Sequence, residues 1–352
     1  MAKFPTLRVP LALATHHDWE IHHMDVKTAF LNSELQETVY MTPPEGYSEF
    51  LPDQKPIPKM LKLLKCLYGL KQAPHEWYND IDDLLNSAGF RRSNQDHNLY
   101  LLRECIVLLY VDDILIFGLS PLAVTTLKKE FSSKYSMVNL GEAKQYLGML
   151  IERDRHACTI FLNQTRYIRK VLERFRLQDY KGISTPMEAA ALPPSPPDNG
   201  EVVQRSEYQS MVGNIMYAML GTRPDFAYAV SALSKFNQAL ITAHHSAMHR
   251  TLRYLQATKN TGILYKGEPN SITTMPEPVC YTDSDWGGDR DKRRSTSGFV
   301  LTLCGGAVSW KTRKQDIVAL SMMEAEYIAL MEASKEVIWM RCLLYEIETC
   351  DT

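Results

Sequence analysis

The sequence predicts a multidomain protein of α/β and α+β folds, based on chain length, alternating strand and helix patterns, and a proline-rich break. The chain has 352 residues, of which 45% are hydrophobic, and single cores rarely grow past about 250 to 300 residues. Residues 189–200, AAALPPSPPDNG, cluster prolines that a helix interior or a central strand does not accept. We therefore expect two or three folded units, with a linker in this segment.

The first half of the chain alternates apolar, β-branched runs with amphipathic runs, as α/β and α+β domains do. Strands are predicted at IHHMDV, CIVLLYV and ILIFGL, and helices at EWYNDIDDLLNSAG, PLAVTTLKKEFSSKY and TRYIRKVLERF. Residues 206–259 are predicted to be mostly helical. A second boundary is expected at KGEPNSITTMPEPV, residues 266–279. Beyond it, β-like runs at VCYTDSDW, GFVLTLCGGAVSW and IVAL precede an apolar-periodic helix from about Glu324 to Glu348.

Charge and cysteine usage exclude several classes of protein. The formal net charge is −2, so any nucleic-acid footprint must be local rather than a basic excess over the whole chain. The seven cysteines are scattered and never spaced as CxxC, which argues against a disulfide framework and a structural zinc site. The sequence has neither a signal-peptide pattern nor an apolar run of the roughly 20 residues that span a bilayer. We expect a soluble, intracellular protein with reduced thiols.

Two groups of histidines resemble metal ligands only in number. They are His16, His17, His22 and His23, and then His244, His245 and His249. Neither group comes with the Glu or Cys arrangement of a known zinc motif. We therefore expect no metal role for either group.

A pair of adjacent aspartates carries the clearest chemical signal. Asp112 and Asp113 stand between two apolar, β-branched runs in CIVLLYVDDILIFGL, the pattern of a hairpin whose tight turn bears two carboxylates. Such a pair is costly unless a cation neutralises it, and hard divalent ions such as Mg²⁺ accept carboxylate oxygens. The alternative is an ordinary Asp-rich turn, because Asp is favoured in turns for local hydrogen-bonding reasons.

Asp25 offers a third carboxylate at the end of the apolar-flanked strand in HHMDVKTAFLN. Two-metal phosphoryl transfer needs carboxylates that bridge ions about 3.5 to 4 Å apart. One ion activates the attacking hydroxyl and the other stabilises the leaving group. Asp25, Asp112 and Asp113 would together supply such a set.

Six segments in fixed order now identify a family. They are DVKTAFL, LYGLKQAPHEWY, YVDD, LGEAKQYLGM, TRPDFAYAVS and RRSTSGFV. In this order they resemble the Pol polyprotein of copia-type LTR retrotransposons, over nearly the whole chain. The resemblance implies a reverse transcriptase followed by a ribonuclease H-like region. It also implies truncation at both ends, since the family's upstream fingers hairpin and its last ribonuclease H acids would lie outside the chain.

The resemblance further implies a division of the chain into domains. We expect a reverse transcriptase palm with partial fingers at 1–150, the end of the primer grip and a helical thumb at 151–188, a linker at 189–205, a helical connection at 206–265, a linker at 266–278, and a truncated ribonuclease H-like α/β domain at 279–352. In the predicted thumb helix, TRYIRKVLERFRL, the basic side chains Arg166, Arg169, Lys170 and Arg174 could meet phosphates. A solvated helix face explains those charges equally well.

Site residues follow from the same resemblance. Asp25, Asp112 and Asp113 match the catalytic, Mg²⁺-binding aspartates, with two ions expected at the polymerase site. Phe30 matches the aromatic steric gate that favours dNTPs, and Tyr68 and Gly69 match the nucleotide-binding pocket. For Phe30 the alternative is a buried aromatic in the first turn of a helix, and for Gly69 it is a simple turn glycine.

A second acidic pair matches the ribonuclease H-like region. Asp283 corresponds to its first metal-binding aspartate and Glu326 to its helix-borne glutamate, with Asp285 and Glu324 as the nearest alternates. A surface Asp and a helix-face Glu are the structural alternatives. Because two carboxylates make an incomplete two-metal site, we expect ribonuclease H activity to be lost.

The function implied is that of an RNA-directed DNA polymerase, a nucleotidyltransferase that binds an RNA or DNA template-primer and dNTPs. The alternative is a catalytically dead retrotransposon remnant that at most binds nucleic acid or protein. By family analogy the location is cytoplasmic, in a virus-like particle, or nuclear.

Overall fold

The computed structural model describes residues 3–50, 58–188, 205–238, 240–267, 275–289 and 292–350. These residues form two compact units, the first comprising residues 22–141 and the second comprising residues 3–21 and 142–350. The linker predicted at 189–205 lies outside the described residues except for Arg205, which begins a helix. Most of the linker predicted at 266–278 also lies outside them.

The first unit is a mixture of sheet and helix. The strands that lie wholly or mostly in it are β1 (Glu20–Val26), β2 (Tyr40–Met41), β3 (Leu61–Lys62), β4 (Arg91–Arg92), β5 (Leu99–Leu102), β6 (Cys105–Tyr110), β7 (Asp113–Gly118) and β8 (Met137–Glu142). Its described helices are α2 (Ala29–Asn32), α3 (Ala73–Ser87) and α4 (Pro121–Lys134). Helix α1 (Phe4–His17) belongs to the second unit. A short 3-10 helix covers Tyr47–Phe50. Six strands form one sheet in the order β4-β5-β6-β7-β1-β8, and β2 pairs with β3.

The hairpin of β6 and β7 follows from its apolar, β-branched residues. Leu109 pairs with Ile114 and Tyr110 with Asp113 in antiparallel register, which leaves a two-residue turn between the strands. The strands predicted at CIVLLYV and ILIFGL are thus confirmed to within a residue or two. Helices α3 and α4 contribute to one hydrophobic core with this hairpin, and the helical side of that core includes Trp77, Ile81, Leu85, Val124, Leu127 and Phe131.

The second unit contains the remaining elements. Its further strands are β9 (Gln145–Tyr146), β10 (Met149–Asp154), β11 (Thr159–Asn163), β12 (Gly262–Lys266), β13 (Val279–Ser284), β14 (Thr296–Leu303) and β15 (Gly306–Lys314). Its further helices are α5 (Thr165–Arg174), α6 (Arg205–Gly221), α7 (Ala227–Ser234), α8 (Thr242–Ala257) and α9 (Met322–Glu348), with a 3-10 helix at Pro224–Phe226. The strands form two sheets, ordered β12-β11-β10-β9 and β13-β14-β15.

An ion pair with a fully buried arginine and a partly exposed aspartate lies among the helices of the second unit. The Arg223 side chain is fully buried and donates two hydrogen bonds to Asp225, of 2.9 and 2.7 Å. It also donates to the Thr258 carbonyl oxygen at 2.9 Å, while the Tyr254 hydroxyl donates to Asp225 at 2.6 Å. Burial by itself would raise the pKa of Asp225, but the hydrogen bonds and charge of Arg223, with the Tyr254 hydroxyl, hold this pKa below its ordinary value.

The compact units differ from the predicted domain division at 1–150. Helix α1 and residues 142–150 pack with the second unit rather than with the first. Arg8 of α1 explains part of this difference. It is buried and donates to the carbonyl oxygens of Gly221 (3.2 Å) and Val308 (2.8 Å). Burial lowers the pKa of Arg8 to about 9. A guanidinium removed from water needs such acceptors, and they come from α6 and β15.

The strand suggested at IVAL is wrong. Residues 317–320 form an irregular segment before α9, with Ile317 56% and Leu320 85% exposed. Apolar character alone cannot distinguish a short strand from an exposed loop, because it carries no periodicity over four residues. Helix α9 begins at Met322, two residues before the predicted start, since the Ser321 hydroxyl caps it by accepting from the Glu324 N–H. No helix among the described residues is long and apolar enough to cross a membrane.

Candidate active site

Strand β1 carries Asp25 near its end. Met24 and Val26 are buried in the core of the first unit, whereas His23 and Asp25 are only partly buried. Successive side chains of a strand point to opposite faces, so His23 and Asp25 share the face opposite Met24 and Val26. The strand pattern therefore presents one imidazole and one carboxylate side by side.

The hairpin of β6 and β7 bears the other two carboxylates, with Asp112 in its turn and Asp113 as the first residue of β7. Strand β7 lies next to β1 in the sheet, and the backbone N–H of Val26 donates to the Asp112 carbonyl oxygen at 2.9 Å. Asp25 thus immediately precedes a residue that is hydrogen-bonded to the turn. The three aspartates, far apart in the sequence, meet at one place in the first unit.

Val111, the residue before Asp112, has an unusual backbone conformation. Its φ of +61° lies in the left-handed region, which is a genuine outlier for a β-branched residue. The Trp77 side chain of α3 holds this residue, because its Nε1–H donates to the Val111 carbonyl oxygen at 2.7 Å. Strained backbone persists only where the surroundings enforce it, and it clusters at functional sites.

The charges of the three aspartates influence one another. Burial, then the negative charges of Asp112 and Asp113, raise the pKa of Asp25, while His23 opposes the rise. This shift agrees with the crowding expected of carboxylates that share one site. The arrangement favours the binding of a cation.

His23 also contacts the aspartates directly. Its Nε2 lies 2.8 Å from Oδ1 of Asp113. We did not predict this contact from the sequence. Two-residue periodicity relates His23 to Asp25, but the sequence does not show which of the two neighbouring histidines faces the turn. His22 instead accepts a hydrogen bond from Lys128 Nζ at 2.8 Å.

Whether these residues suit Mg²⁺ depends on their donor chemistry. Among the described residues, no group of three or more His, Cys, Asp or Glu side chains is arranged to hold a metal ion. Mg²⁺ is usually bound by one or two carboxylates, several waters and substrate phosphates, rather than by an all-protein cage. Asp25 and Asp112 provide hard oxygen donors of this kind, so the donor set fits the ion.

Phe30, Tyr68 and Gly69 lie together in the first unit. The rings of Phe30 and Tyr68 have centroids 4.8 Å apart, in a tilted arrangement. Phe30 is partly buried against the core, while Tyr68 is 56% exposed. Gly69 has a φ of +95°, and a Cβ added there would meet no atom within 4 Å. The glycine is therefore required by backbone conformation rather than by crowding within the chain.

The second unit brings Asp283 and Glu326 close together. Asp283 lies on β13, and the N–H of the next residue, Ser284, donates to Glu326 Oε1 at 3.3 Å. The two alternates have other roles. Asp285 accepts a hydrogen bond from the Thr296 N–H at 2.6 Å, and Glu324 accepts one from the Leu320 N–H at 2.6 Å before α9. Asp285 therefore stabilises a loop, and Glu324 holds the residue before the Ser321 cap of α9.

The remaining predicted positions have clear surroundings. Arg166, Arg169, Lys170 and Arg174 are all exposed on α5. In the carboxyl-terminal histidine group, His244 is buried and its ring stacks on Phe236, with centroids 3.5 Å apart. That histidine therefore packs in the interior.

A mixed helix and sheet unit with paired carboxylates on a hairpin turn is typical of nucleic-acid polymerases. Residues 1–189 match the family model described as reverse transcriptase (RNA-dependent DNA polymerase). The chain is similar to the Pol polyprotein from transposon TNT 1-94 of Nicotiana tabacum, at 38% identity over 99% of this chain and 26% of the relative. It is 36% identical to the Pol polyprotein from transposon RE1 of Arabidopsis thaliana, over 98% of this chain and 23% of the relative.

A yeast relative matches over its full length. The putative transposon Ty5-1 protein of Saccharomyces cerevisiae is 32% identical over 89% of this chain and 100% of the relative. The chain belongs to the reverse transcriptase family, in the form found in the Pol polyproteins of copia-type retrotransposons. It spans about a quarter of the length of the two plant relatives.

Proposed function

We propose that the chain is a reverse transcriptase region that extends a primer by two-metal nucleotidyl transfer, with Asp25, Asp112 and Asp113 as its catalytic residues. The observation that carries this proposal is the hydrogen bond from the N–H of Val26 to the Asp112 carbonyl oxygen. It joins the strand of Asp25 to the hairpin of the other two aspartates. Burial, then the charges of Asp112 and Asp113, raise the pKa of Asp25, which supports the same site.

In this mechanism the carboxylates of Asp25 and Asp112 would hold Mg²⁺, and Asp113 would complete the acidic site. Two such ions, when bound, would supply activation of the primer 3′-hydroxyl and stabilisation of the leaving pyrophosphate. Phe30 limits space at the sugar of the incoming nucleotide, so that a ribose 2′-hydroxyl is disfavoured. Gly69, which has no side chain, lets the nucleotide approach the backbone beside Tyr68.

The subdomain assignments belong to the same proposal. The first unit is the palm with part of the fingers, and α5 is the thumb helix whose exposed Arg166, Arg169, Lys170 and Arg174 meet template-primer phosphates. Residues 206–265 are the connection, and the sheet of β13–β15 with α9 is the ribonuclease H-like region. Asp283 and Glu326 form an acidic pair in that region.

Primer extension tests the proposal. The chain is incubated with a primed RNA template, dNTPs and Mg²⁺, alongside an Asp112→Asn variant. We expect Mg²⁺-dependent extension that falls by about 10²- to 10³-fold in the variant, as when one key electrostatic contact is removed. Asp179→Asn, which changes an exposed carboxylate of the second unit, is the matched control and should extend the primer like wild type.

Equal, background extension by wild type and Asp112→Asn would rule out catalysis by this chain. The remaining candidate would then be a non-catalytic remnant. Its binding to a template-primer can be measured in the same samples by a filter or anisotropy assay. Retained binding without extension would assign the chain to that second class.

A further inference from the structure

The three aspartates of the first unit differ in what holds their side chains. Asp113 Oδ1 lies 2.8 Å from the His23 ring nitrogen, and both side chains are largely shielded, at 30% and 12% exposure. Among the described residues, the carboxylates of Asp25 and Asp112 make no side-chain hydrogen bond or ion pair. One carboxylate is therefore held by a protein donor, whereas two are available to external groups.

The backbone explains why His23 reaches Asp113. Strand β1 lies beside β7, and Asp113 is the first residue of β7. His23 precedes Asp25 by two residues, so the two side chains emerge on the same face of β1. The imidazole consequently lies beside the carboxylate that begins the neighbouring strand.

We propose that His23 is a positioning residue, which holds the Asp113 carboxylate at the acidic site while Asp25 and Asp112 contact the metal ion. The inference rests on the proposed polymerase site and adds a division of roles within it. A donor that orients an acidic group beside a metal site normally matters for affinity, and its removal costs about 10- to 100-fold. The donor here comes from the strand that also carries Asp25.

A simple structural role for His23 makes a different prediction. If the contact only joined two strands, its loss would lower stability without changing the affinity for ions. His22 provides the comparison, because it lies on the other face of β1 and binds Lys128 of α4 at 2.8 Å. Removing either imidazole deletes one partly buried contact of the same strand. Only the loss of His23 disturbs Asp113.

The test measures Mn²⁺ binding, since Mn²⁺ takes the same kind of oxygen site as Mg²⁺. The electron paramagnetic resonance signal of free Mn²⁺ is titrated against the whole chain, without nucleotide or primer. The variants are His23→Ala, His23→Gln, His22→Ala and Asp112→Asn, each checked for folding by circular dichroism. Glutamine keeps an N–H donor, so it guards against a general effect of truncating the side chain.

We expect His23→Ala to weaken Mn²⁺ binding by about tenfold or more. His23→Gln should recover most of that affinity, and His22→Ala should bind like wild type. A His23→Ala variant that binds like His22→Ala would overturn the positioning role. If Asp112→Asn still abolishes binding in that case, the metal site itself stands and only the role of His23 is lost. If wild type binds no Mn²⁺, or binds it no more tightly than Asp112→Asn does, both the positioning role and the proposed function are overturned.

Discussion

Replacing Trp77 with phenylalanine tests whether the indole N–H holds the turn that carries Asp112. Trp77 is 2% exposed, and its Nε1–H donates to the Val111 carbonyl oxygen at 2.7 Å. Its ring also meets the Tyr135 ring edge-on, with centroids 5.1 Å apart. Phenylalanine keeps much of this aromatic packing but has no donor. The substitution therefore removes one hydrogen bond together with a small volume.

The expected loss of stability is modest. A hydrogen bond contributes a net of about 0.5 to 1.5 kcal/mol, and Val111 is 38% exposed, so water can reach this part of the turn. The space left by the smaller ring at this buried position adds to the loss, so we expect the free energy of unfolding to fall by about 2 kcal/mol. The loss of primer extension should be larger. Val111 is held at a φ of +61°, and such a residue relaxes when its support is removed. A displacement of about 1 Å at a catalytic group can cost about 10²-fold in rate.

Urea unfolding followed by circular dichroism, and primer extension, measure the two effects. Tyr78→Phe is the matched control, because the Tyr78 hydroxyl of the same helix donates to the His97 carbonyl oxygen at 2.9 Å, away from the turn. We expect both variants to stay folded, with Trp77→Phe losing more stability because its side chain is buried, but only Trp77→Phe to lose at least tenfold in extension. If Trp77→Phe extends primers as well as Tyr78→Phe does, the indole merely fills the core and our account of the turn is wrong.

Two further predictions concern the second unit. Asp225→Asn leaves the buried Arg223 guanidinium without its counter-charge and should lower the free energy of unfolding at pH 7 by about 1 to 2 kcal/mol, measured in urea, less than for a fully buried pair because the Asp225 side chain is 31% exposed. Because the pKa of Asp225 is held low, wild type should lose this stability as the pH falls below about 4, towards the folded-state pKa. If the stability of Asp225→Asn falls with acid as steeply as that of wild type, this account is refuted. Glu324→Ala should cost about 1 kcal/mol by removing the acceptor of the Leu320 N–H just before α9, whereas Glu326→Ala should stay within about 0.5 kcal/mol. The reverse order in urea would contradict this role of Glu324.

Local patterns predicted strands β1, β6 and β7 and helices α3 and α4 of the first unit. The apolar runs on both sides of Asp112 and Asp113 gave a hairpin whose register is fixed by its two-residue turn. The assignment of Asp25 to the same site came from family resemblance, since no local rule joins residues so distant in sequence. The catalytic roles of these residues stay predictions. What the structure adds is the adjacency of β1 and β7.

Long-range contacts account for what the sequence did not predict. Arg8 donates to the carbonyl oxygen of Val308, 300 residues away. A basic residue in an apolar amino-terminal helix does not by itself predict which acceptor it will bind. The choice between His22 and His23 depends on which face of β1 meets the turn. The hydrogen bond from Trp77 to Val111 needs helix α3 in place beneath the hairpin. Each depends on tertiary packing, which a local pattern does not contain.

The acidic turn of the first unit is unfavourable on its own and is maintained by its neighbours. Val111 has a strained backbone, and burial with the charges of Asp112 and Asp113 raises the pKa of Asp25. Three hydrogen bonds hold this arrangement, from Trp77 to Val111, from the N–H of Val26 to Asp112, and between His23 and Asp113. A turn selected only for stability would avoid both the strain and the crowded charges. Their persistence under three separate restraints is what a site that gathers carboxylates around a cation requires.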